Sequence, residues 1–402
     1  MNIDLMRRVD RQVGSLACGL LSLFLGGRTR GGVTEARPKK IMVILLSEMG
    51  SLVLARPMFR RIREKYPEAE TFVLLFARNR EALDLLGEVA PTHVITLRDT
   101  SFSAFAADSL RALKKIRGLG IDTVLDCELF ARISALFSGL SGAGVRAGFH
   151  PHTQEGLYRG SFLNRPVLYN PYLHMSRQFL NLLEAVDAPV QRPRVKEIPP
   201  GQESLACPDV PLDAAEQKNF RAKLWADFPA IAEKKLILLS PGGGLLPIRA
   251  WPPANYAAVA RDFVHRGFAV GIIGLGPDRE LAQSIVASCA SDACVDLTGY
   301  TKSLRELLLL FSDAALLLGN DGGPGHFATL VSLPALVLFG PETPVLYGPL
   351  GPRAKSLFAP TACAPCLTAY NHRNSPCDGN NLCLRNITPE EVINHAHALL
   401  EP

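Results

Sequence analysis

Runs of five or six mostly apolar residues recur along this chain, and each is followed by a stretch with helical spacing. Ile41-Met-Val-Ile-Leu-Leu46 and Lys235-Leu-Ile-Leu-Leu239 are the clearest. A strand can be apolar at nearly every position only when both of its faces are covered, as in a parallel sheet packed between helices. Around the first run the pattern reads as strands at 41–46, 71–76, 93–96, 123–126 and 145–148, with helices at 52–65, 80–86 and 104–116. Around the second it reads as strands at 235–239, 268–273, 314–318 and 334–339, with helices at 253–267, 279–289, 304–311, 326–331 and 389–400. Strands alternating with helices imply βαβ units. Between the two sets, residues 189–211 are rich in proline and lack periodicity, which reads as a linker. The expected organisation is a basic arm (1–37), a first α/β domain (38–190), a linker (191–212), a second α/β domain (213–387) and a closing helix (388–402). The length of 402 residues suits two such domains.

Charge is concentrated at the start. Residues 1–40 hold eight Lys or Arg against three Asp or Glu, so they carry the whole net charge of +5 and leave a neutral body. That distribution argues against nucleic-acid binding, which calls for cations spread over a folded face. Within the arm, Leu5, Val9, Val13, Leu16, Leu20 and Phe24 recur at spacings of three and four and form one helical stripe. The longest apolar run, 16–25, is too short for the roughly 20 residues of a membrane-spanning helix. A basic amphipathic helix of this kind can lie in an anionic membrane surface, here through residues 5–25. The alternatives are packing on the protein's own core and a signal peptide, the latter disfavoured by the long acid-containing start.

Three loops after strands have the composition of ligand cradles. Gly319-Asn-Asp-Gly-Gly-Pro-Gly-His326 follows an apolar strand and opens a helix, so its backbone can approach an anion closely and point N–H groups at it. The helix dipole favours a phosphate or diphosphate there. Leu239-Ser-Pro-Gly-Gly-Gly-Leu-Leu-Pro-Ile-Arg-Ala-Trp-Pro252 repeats the device and adds Arg249, whose fork can grip phosphate oxygens. Gly274-Leu-Gly-Pro-Asp-Arg-Glu280 fails the dinucleotide fingerprint at Arg279, while Glu280 could accept from ribose hydroxyls or cap its helix.

These segments carry a resemblance. Asn320-Asp-Gly-Gly-Pro-Gly-His-Phe-Ala328, then Leu333-Pro-Ala-Leu-Val-Leu-Phe-Gly-Pro341, resembles the signature of glycosyltransferase family 9, the bacterial lipopolysaccharide heptosyltransferases. Ser240 to Pro252 is similar to a further family pattern, with Arg249 where Lys is usual, and Ile44-Leu-Leu-Ser-Glu-Met-Gly50 resembles the family's first strand and loop. The late Cys363-Ala-Pro-Cys366, Cys377 and Cys383, followed by Ile387-Thr-Pro-Glu-Glu-Val392, is similar to another. The resemblance spans about residues 40–400.

It implies a GT-B fold: two Rossmann-like domains with parallel sheets facing a central cleft, joined here to an N-terminal amphipathic helix. It also implies an inverting transfer from an ADP-heptose-like donor, without cofactor or metal, to a lipid-linked glycan acceptor. Carried over, Arg249 would neutralise the donor diphosphate, Gly322, Gly323 and Pro324 would cradle it, Glu280 would hold the ribose, and Asp321 and His326 would fix the donor loop and sugar. Where the family often has an Asp base, this chain has Ser51, a poor base at neutral pH, which shifts the expectation to Glu48 in the same loop. His150 and His152 are candidates for acceptor contacts, His174 for a structural role, and Trp251 for a packing wedge beneath the donor loop.

Cys363, Cys366, Cys377 and Cys383 form a C-x-x-C with two further thiols at irregular spacing, open to a structural metal, loose disulfides or free thiols. Two other functions share the scaffold: a nucleotide-sugar epimerase or hydrolase, and a non-catalytic nucleotide-sugar-binding member of a glycan assembly complex. The leading expectation is a glycosyltransferase on the cytoplasmic face of the bacterial inner membrane.

Overall fold

The computed structural model describes residues 3–25, 37–46, 48–129, 131–149, 158–187, 205–244, 246–368, 375 and 377–401. The chain divides into two compact units at Leu205 and Ala206. The linker expectation falls largely outside the described residues, as do His150 and His152.

The first unit is built on a six-stranded sheet of β1 (Lys40–Ile44), β2 (Glu70–Phe76), β3 (Val94–Leu97), β4 (Thr123–Asp126), β5 (Val145–Phe149) and β6 (Arg165–Val167). Their order is β3-β2-β1-β4-β5-β6, and all neighbours are parallel. The second unit repeats the topology with β7 (Leu236–Ser240), β8 (Ala269–Ile272), β9 (Cys294–Asp296), β10 (Ala314–Asn320), β11 (Ala335–Phe339) and β12 (Ala354–Phe358), ordered β12-β11-β10-β7-β8-β9 and again wholly parallel. In both sheets the strand order reverses between the first and fourth strands, at β1/β4 and at β7/β10. The crevice outside the carboxyl ends of such a pair is where doubly wound sheets take ligands.

The all-apolar strands are buried as their composition requires, and β11 is buried at every position. Helix ends follow local chemistry. Ser101 accepts from the Ala104 N–H at the start of helix Phe102–Leu119, which Gly120 closes at φ 68°. Thr388 likewise caps Pro389–Leu400. Helices Arg132–Leu140, Met175–Glu184 and Ala214–Asp227 and strands β6, β9 and β12 add to the elements read from the pattern.

The N-terminal arm is helical, as its spacing predicts. Helix Ile3–Val9, a π-helical turn Asp10–Gly14 and helix Ser15–Leu25 run in succession. They pack on the first unit, but through a different face from the predicted stripe. Cys18 is buried with Ala135 and Phe162, while Leu21 and Leu25 pack against that cluster. Gly14 and Gly139 permit the approach: a Cβ on Gly14 would lie 2.9 Å from Arg132 Cβ, and one on Gly139 2.9 Å from Leu21 Cδ2. Leu5, Val9, Val13, Leu16, Leu20 and Phe24 stay exposed. Among the described residues, no helix is long and apolar enough to cross a membrane.

Candidate functional site

In the second unit the loops leaving the carboxyl ends of β7, β10 and β11 are tied together by polar side chains, most of them buried. Asn320, the last residue of β10, is the brace. Its Nδ2 donates to the carbonyls of Pro241 (2.8 Å) and Gly242 (3.2 Å), and its Oδ1 accepts from Trp251 N (3.0 Å) and Tyr256 Oη (2.9 Å). The β7 loop is therefore fixed at both of its ends by one amide of β10. Trp251 is the expected wedge: it is buried, meets Tyr256 edge-on and donates its indole N–H to Ile387 O at 2.9 Å.

Arg249 sits in the middle of the braced loop with its side chain only 15% exposed. Its Nε lies 3.3 Å from Asp321 Oδ2, and its Nη2 3.2 Å from Glu342 Oε1. Asp321 and Glu342 are buried and follow β10 and β11 respectively. The two carboxylates aim the guanidinium, and its Nη1 edge has no hydrogen bond among the described residues. An arginine held this way presents a planar pair of donors to an incoming anion.

The glycine loop places Asp321 by a backbone bond to Leu338 O (2.9 Å) and continues through Gly322 into helix Gly323–Ala328, which starts earlier than expected and includes Pro324 and a buried His326. Gly325 lets that short helix lie close on β11, since a Cβ there would fall 2.7 Å from Val337 Cγ2. Glu280 is exposed in the first turn of helix Arg279–Cys289. It is Asp278 that organises this loop: its carboxylate accepts from Leu275 N (2.8 Å), and it crowds Gly242, where a Cβ would meet Asp278 Oδ1 at 2.7 Å.

The corresponding end of the first sheet holds the predicted first loop. Glu48 is exposed and occupies the N-cap position of helix Met49–Lys65 without a side-chain cap bond; Ser51 lies half-buried in its first turn. Two buried side chains fix the residue at the mouth of this loop. Leu46 N donates to Glu128 Oε1 at 2.6 Å, and Leu46 O accepts from Asn79 Nδ2 at 2.7 Å. Asp126, at the end of β4, pairs with Arg159 at 2.5 Å, and both are fully buried. Burial pushes the Asp126 carboxyl up while Arg159 pulls it down. Arg159 also donates to Ala131 O (3.0 Å) and Ser134 Oγ (2.7 Å).

Sequence reasoning picked out Arg249, Asp321 and His326, and the structure joins the first two directly. It missed Glu342, Asn320 as a brace, Asp278, and the set Asn79, Asp126, Glu128 and Arg159. Glu342 was findable, as a carboxylate just after a strand ending Phe339-Gly-Pro341; Arg159 had no local signal. His174 accepts from Ser176 N at 3.3 Å and caps its helix. The nine cysteines are free thiols, and among the described residues no three His, Cys, Asp or Glu side chains gather at metal-binding distance. A hollow of about 440 Å³ lies at the amino ends of β7 and β10, lined by Lys235, Asp313 and Arg353 among others, away from all of these loops.

The model of glycosyltransferase family 9 (heptosyltransferase) matches residues 109–375. The chain is 24% identical over 366 residues to lipopolysaccharide heptosyltransferase 2 of Salmonella typhimurium, covering 90% of this chain and 98% of that protein. Among solved structures it is similar to the ADP-heptose lipopolysaccharide heptosyltransferase II of Escherichia coli, with a TM-score of 0.69 and 22% identity over 90% of this chain and 98% of that one. A family 9 glycosyl transferase of Veillonella parvula gives 0.68 and 20% over 90% and 97%. Both halves of the chain thus share the GT-B class of fold.

Proposed function

The chain belongs to glycosyltransferase family 9 and is a glycosyltransferase, and from that premise we propose that it moves a heptose-like sugar from a nucleotide-diphosphate donor to a lipopolysaccharide core or another lipid-linked surface glycan. The observation that carries the donor side is Arg249, aimed by Asp321 and Glu342 at the switch point of the second sheet. Its Nη1 edge would bind the diphosphate, with the backbone of Gly322, Gly323 and Pro324 beside it. Asp321 and His326 would fix the loop and the sugar, and Glu280 would take the ribose hydroxyls. On the acceptor side, His150 and His152 would contact the glycan.

The reaction follows as an inverting displacement. The acceptor oxygen forms its bond to the anomeric carbon as the bond to the diphosphate oxygen breaks, and the hydroxyl proton passes to Glu48. Negative charge grows on the departing diphosphate, where a pre-aimed guanidinium is worth more than in water. An exposed carboxylate at the mouth of a loop fixed by Glu128 and Asn79 supports the base assignment. The exposed apolar stripe of residues 5–24, with Arg8 and Arg11 exposed beside it, supports a peripheral position on the cytoplasmic face of the inner membrane, next to the lipid-linked acceptor.

The test is a thermal-shift panel of ADP-, UDP-, GDP- and dTDP-sugars on the protein and its Arg249→Ala variant, followed by transfer assays with the donor that binds. Ligand at a hundred times its dissociation constant stabilises the native state by about 2.7 kcal/mol. A shift confined to one nucleotide and lost in the variant supports the donor site. Donor consumption without any acceptor would replace transfer with epimerisation or hydrolysis, and binding without consumption would point to a scaffold.

A further inference from the structure

We propose that the N-terminal helical segment is a lipid-docking strap built into the first unit: one face seats on an anionic bilayer while another grips the segments that support the Glu48 loop. The inference rests on the membrane reading above and specifies how that contact is made.

Of the thirteen large apolar side chains exposed among the described residues, seven lie on this segment. They are Leu5, Val9, Val13, Leu16, Leu20, Leu23 and Phe24, and Leu16, Leu23 and Phe24 expose 67%, 80% and 76%. A soluble surface seldom leaves a contiguous apolar patch of this kind uncovered. The charge beside it selects the occupant. Arg8 and Arg11 are exposed beside it, and residues 1–40 hold the chain's whole net charge of +5. A basic, apolar helix too short to span matches the interface of an anionic bilayer.

The gripping face is polar and specific. Helix Arg132–Leu140 has Ala131 at its N-cap, which offers no side-chain acceptor. Asp10, more than a hundred residues away, supplies one. Its carboxylate accepts from Arg132 N and Ile133 N, each at 3.0 Å. It does so from the π-helical turn Asp10–Gly14, whose irregularity lies between the two α-helical stretches. About three turns after Asp10, Ser22 Oγ accepts from Ser161 N (2.9 Å) and Tyr158 Oη (3.2 Å). Arg132 Nε in turn donates to Tyr158 O (3.2 Å). Next to Tyr158, Arg159 holds Asp126, two residues before the Glu128 that fixes Leu46. A continuous set of hydrogen bonds thus runs from the strap to the mouth of the Glu48 loop. A flexible anchor would hold the protein near lipid; this one would also fix the height and orientation of that loop over the bilayer.

Cys18 reports on the grip. It lies on the buried face of helix Ser15–Leu25, and burial pushes its thiol up to about 12, so alkylation at pH 8 is doubly suppressed. The experiment uses the full chain and needs no transfer activity, so its failure is separable from failure of the transferase reading. The protein is floated with phosphatidylglycerol vesicles and with phosphatidylcholine vesicles, and Cys18 is followed by N-ethylmaleimide labelling and peptide mass. The expected result is binding to phosphatidylglycerol only, with Cys18 protected both free and bound, relative to exposed Cys377. Leu16→Glu with Leu20→Glu should weaken binding by more than about a hundredfold, since burying one leucine is worth about a factor of ten or more. That variant should leave Cys18 protected. Asp10→Asn should speed Cys18 labelling while vesicle binding persists. The proposal is overturned if the wild-type chain floats with neither lipid. It is equally overturned if Cys18 reacts as fast as Cys377, or if light scattering shows a dimer that the leucine variant dissociates in place of a vesicle complex.

Discussion

Replacing Asn320 by Asp tests whether one buried amide holds the β7 and β10 loops of the second unit together. The change is nearly isosteric, so packing is preserved and only hydrogen-bond polarity and charge are altered. Oδ1 keeps its bonds from Trp251 N and Tyr256 Oη, but the second oxygen now faces the carbonyls of Pro241 and Gly242 at about the distances Nδ2 had, 2.8 and 3.2 Å. An ionised carboxylate there would be repelled, so the buried group should bind a proton on folding and its pKa should rise. Protonated, it can donate to one carbonyl, leaving one bond lost at about 1 kcal/mol. Holding that proton at pH 7 against an ordinary pKa near 4 costs about 1.4 kcal/mol per unit, or about 4 kcal/mol. The total is about 5 kcal/mol at pH 7, shrinking toward about 1 kcal/mol near pH 4. The sign follows from the raised folded pKa: stability is present below the unfolded value and is lost as pH rises. Asn320→Ala should instead cost about 3–4 kcal/mol independently of pH, because four partners lose their bonds at about 1 kcal/mol each. Urea unfolding read by tryptophan fluorescence isolates this unit, since both tryptophans, Trp225 and Trp251, belong to it. A gap between the Asp variant and wild type that stays constant from pH 5 to pH 8 would refute the reasoning. So would an Ala variant as stable as the parent.

Arg249→Ala is expected to weaken nucleotide-sugar binding about tenfold to a hundredfold by calorimetry, the range for charge-assisted bonds. Glu342→Ala should weaken it several-fold through loss of aim alone, and unchanged affinity there would remove Glu342 from the site. Glu48→Gln should lower kcat by about 10²–10⁴ with donor affinity intact; full turnover would dismiss it as the base. Asp108 accepts from Arg98 N and Nε (2.9 and 2.8 Å) and pairs with Arg111 at 2.8 Å, which holds its carboxyl at about 2. Because that value is depressed, its contribution is present above about pH 4 and is lost as pH falls toward 2. Asp108→Asn should flatten acid unfolding in that window, and parallel pH curves would contradict the assignment. Gly325→Ala places a Cβ 2.7 Å from Val337 Cγ2. It should cost about 1–3 kcal/mol in denaturant unfolding, and Val337→Ala should restore most of it if that contact is the cause.

The βαβ order of both halves was legible because a strand buried on two faces must be apolar throughout, and runs such as 41–46 and 335–339 have no other economical fate. Thr388 and Ser101 mark helix starts, since a cap needs only its own neighbours. The residue types of the glycine-rich loops were legible too: glycines and an arginine after strand ends have a local reason to be there. What the local sequence could not give was pairing at long range. Asn320 bonds residues about 70 to 80 positions away, Glu342 reaches Arg249 from the next strand's loop, and Asp10 caps a helix 122 residues on. The arm shows the division plainly. Its sequence determined a helix with one apolar stripe, but which face met the protein depended on Gly14, Gly139 and the open N-terminus of helix Arg132–Leu140. Periodicity is set by side chains a few positions apart, whereas docking is set by whichever distant surface offers matching shape and unmet hydrogen bonds, and only the tertiary structure brings those together.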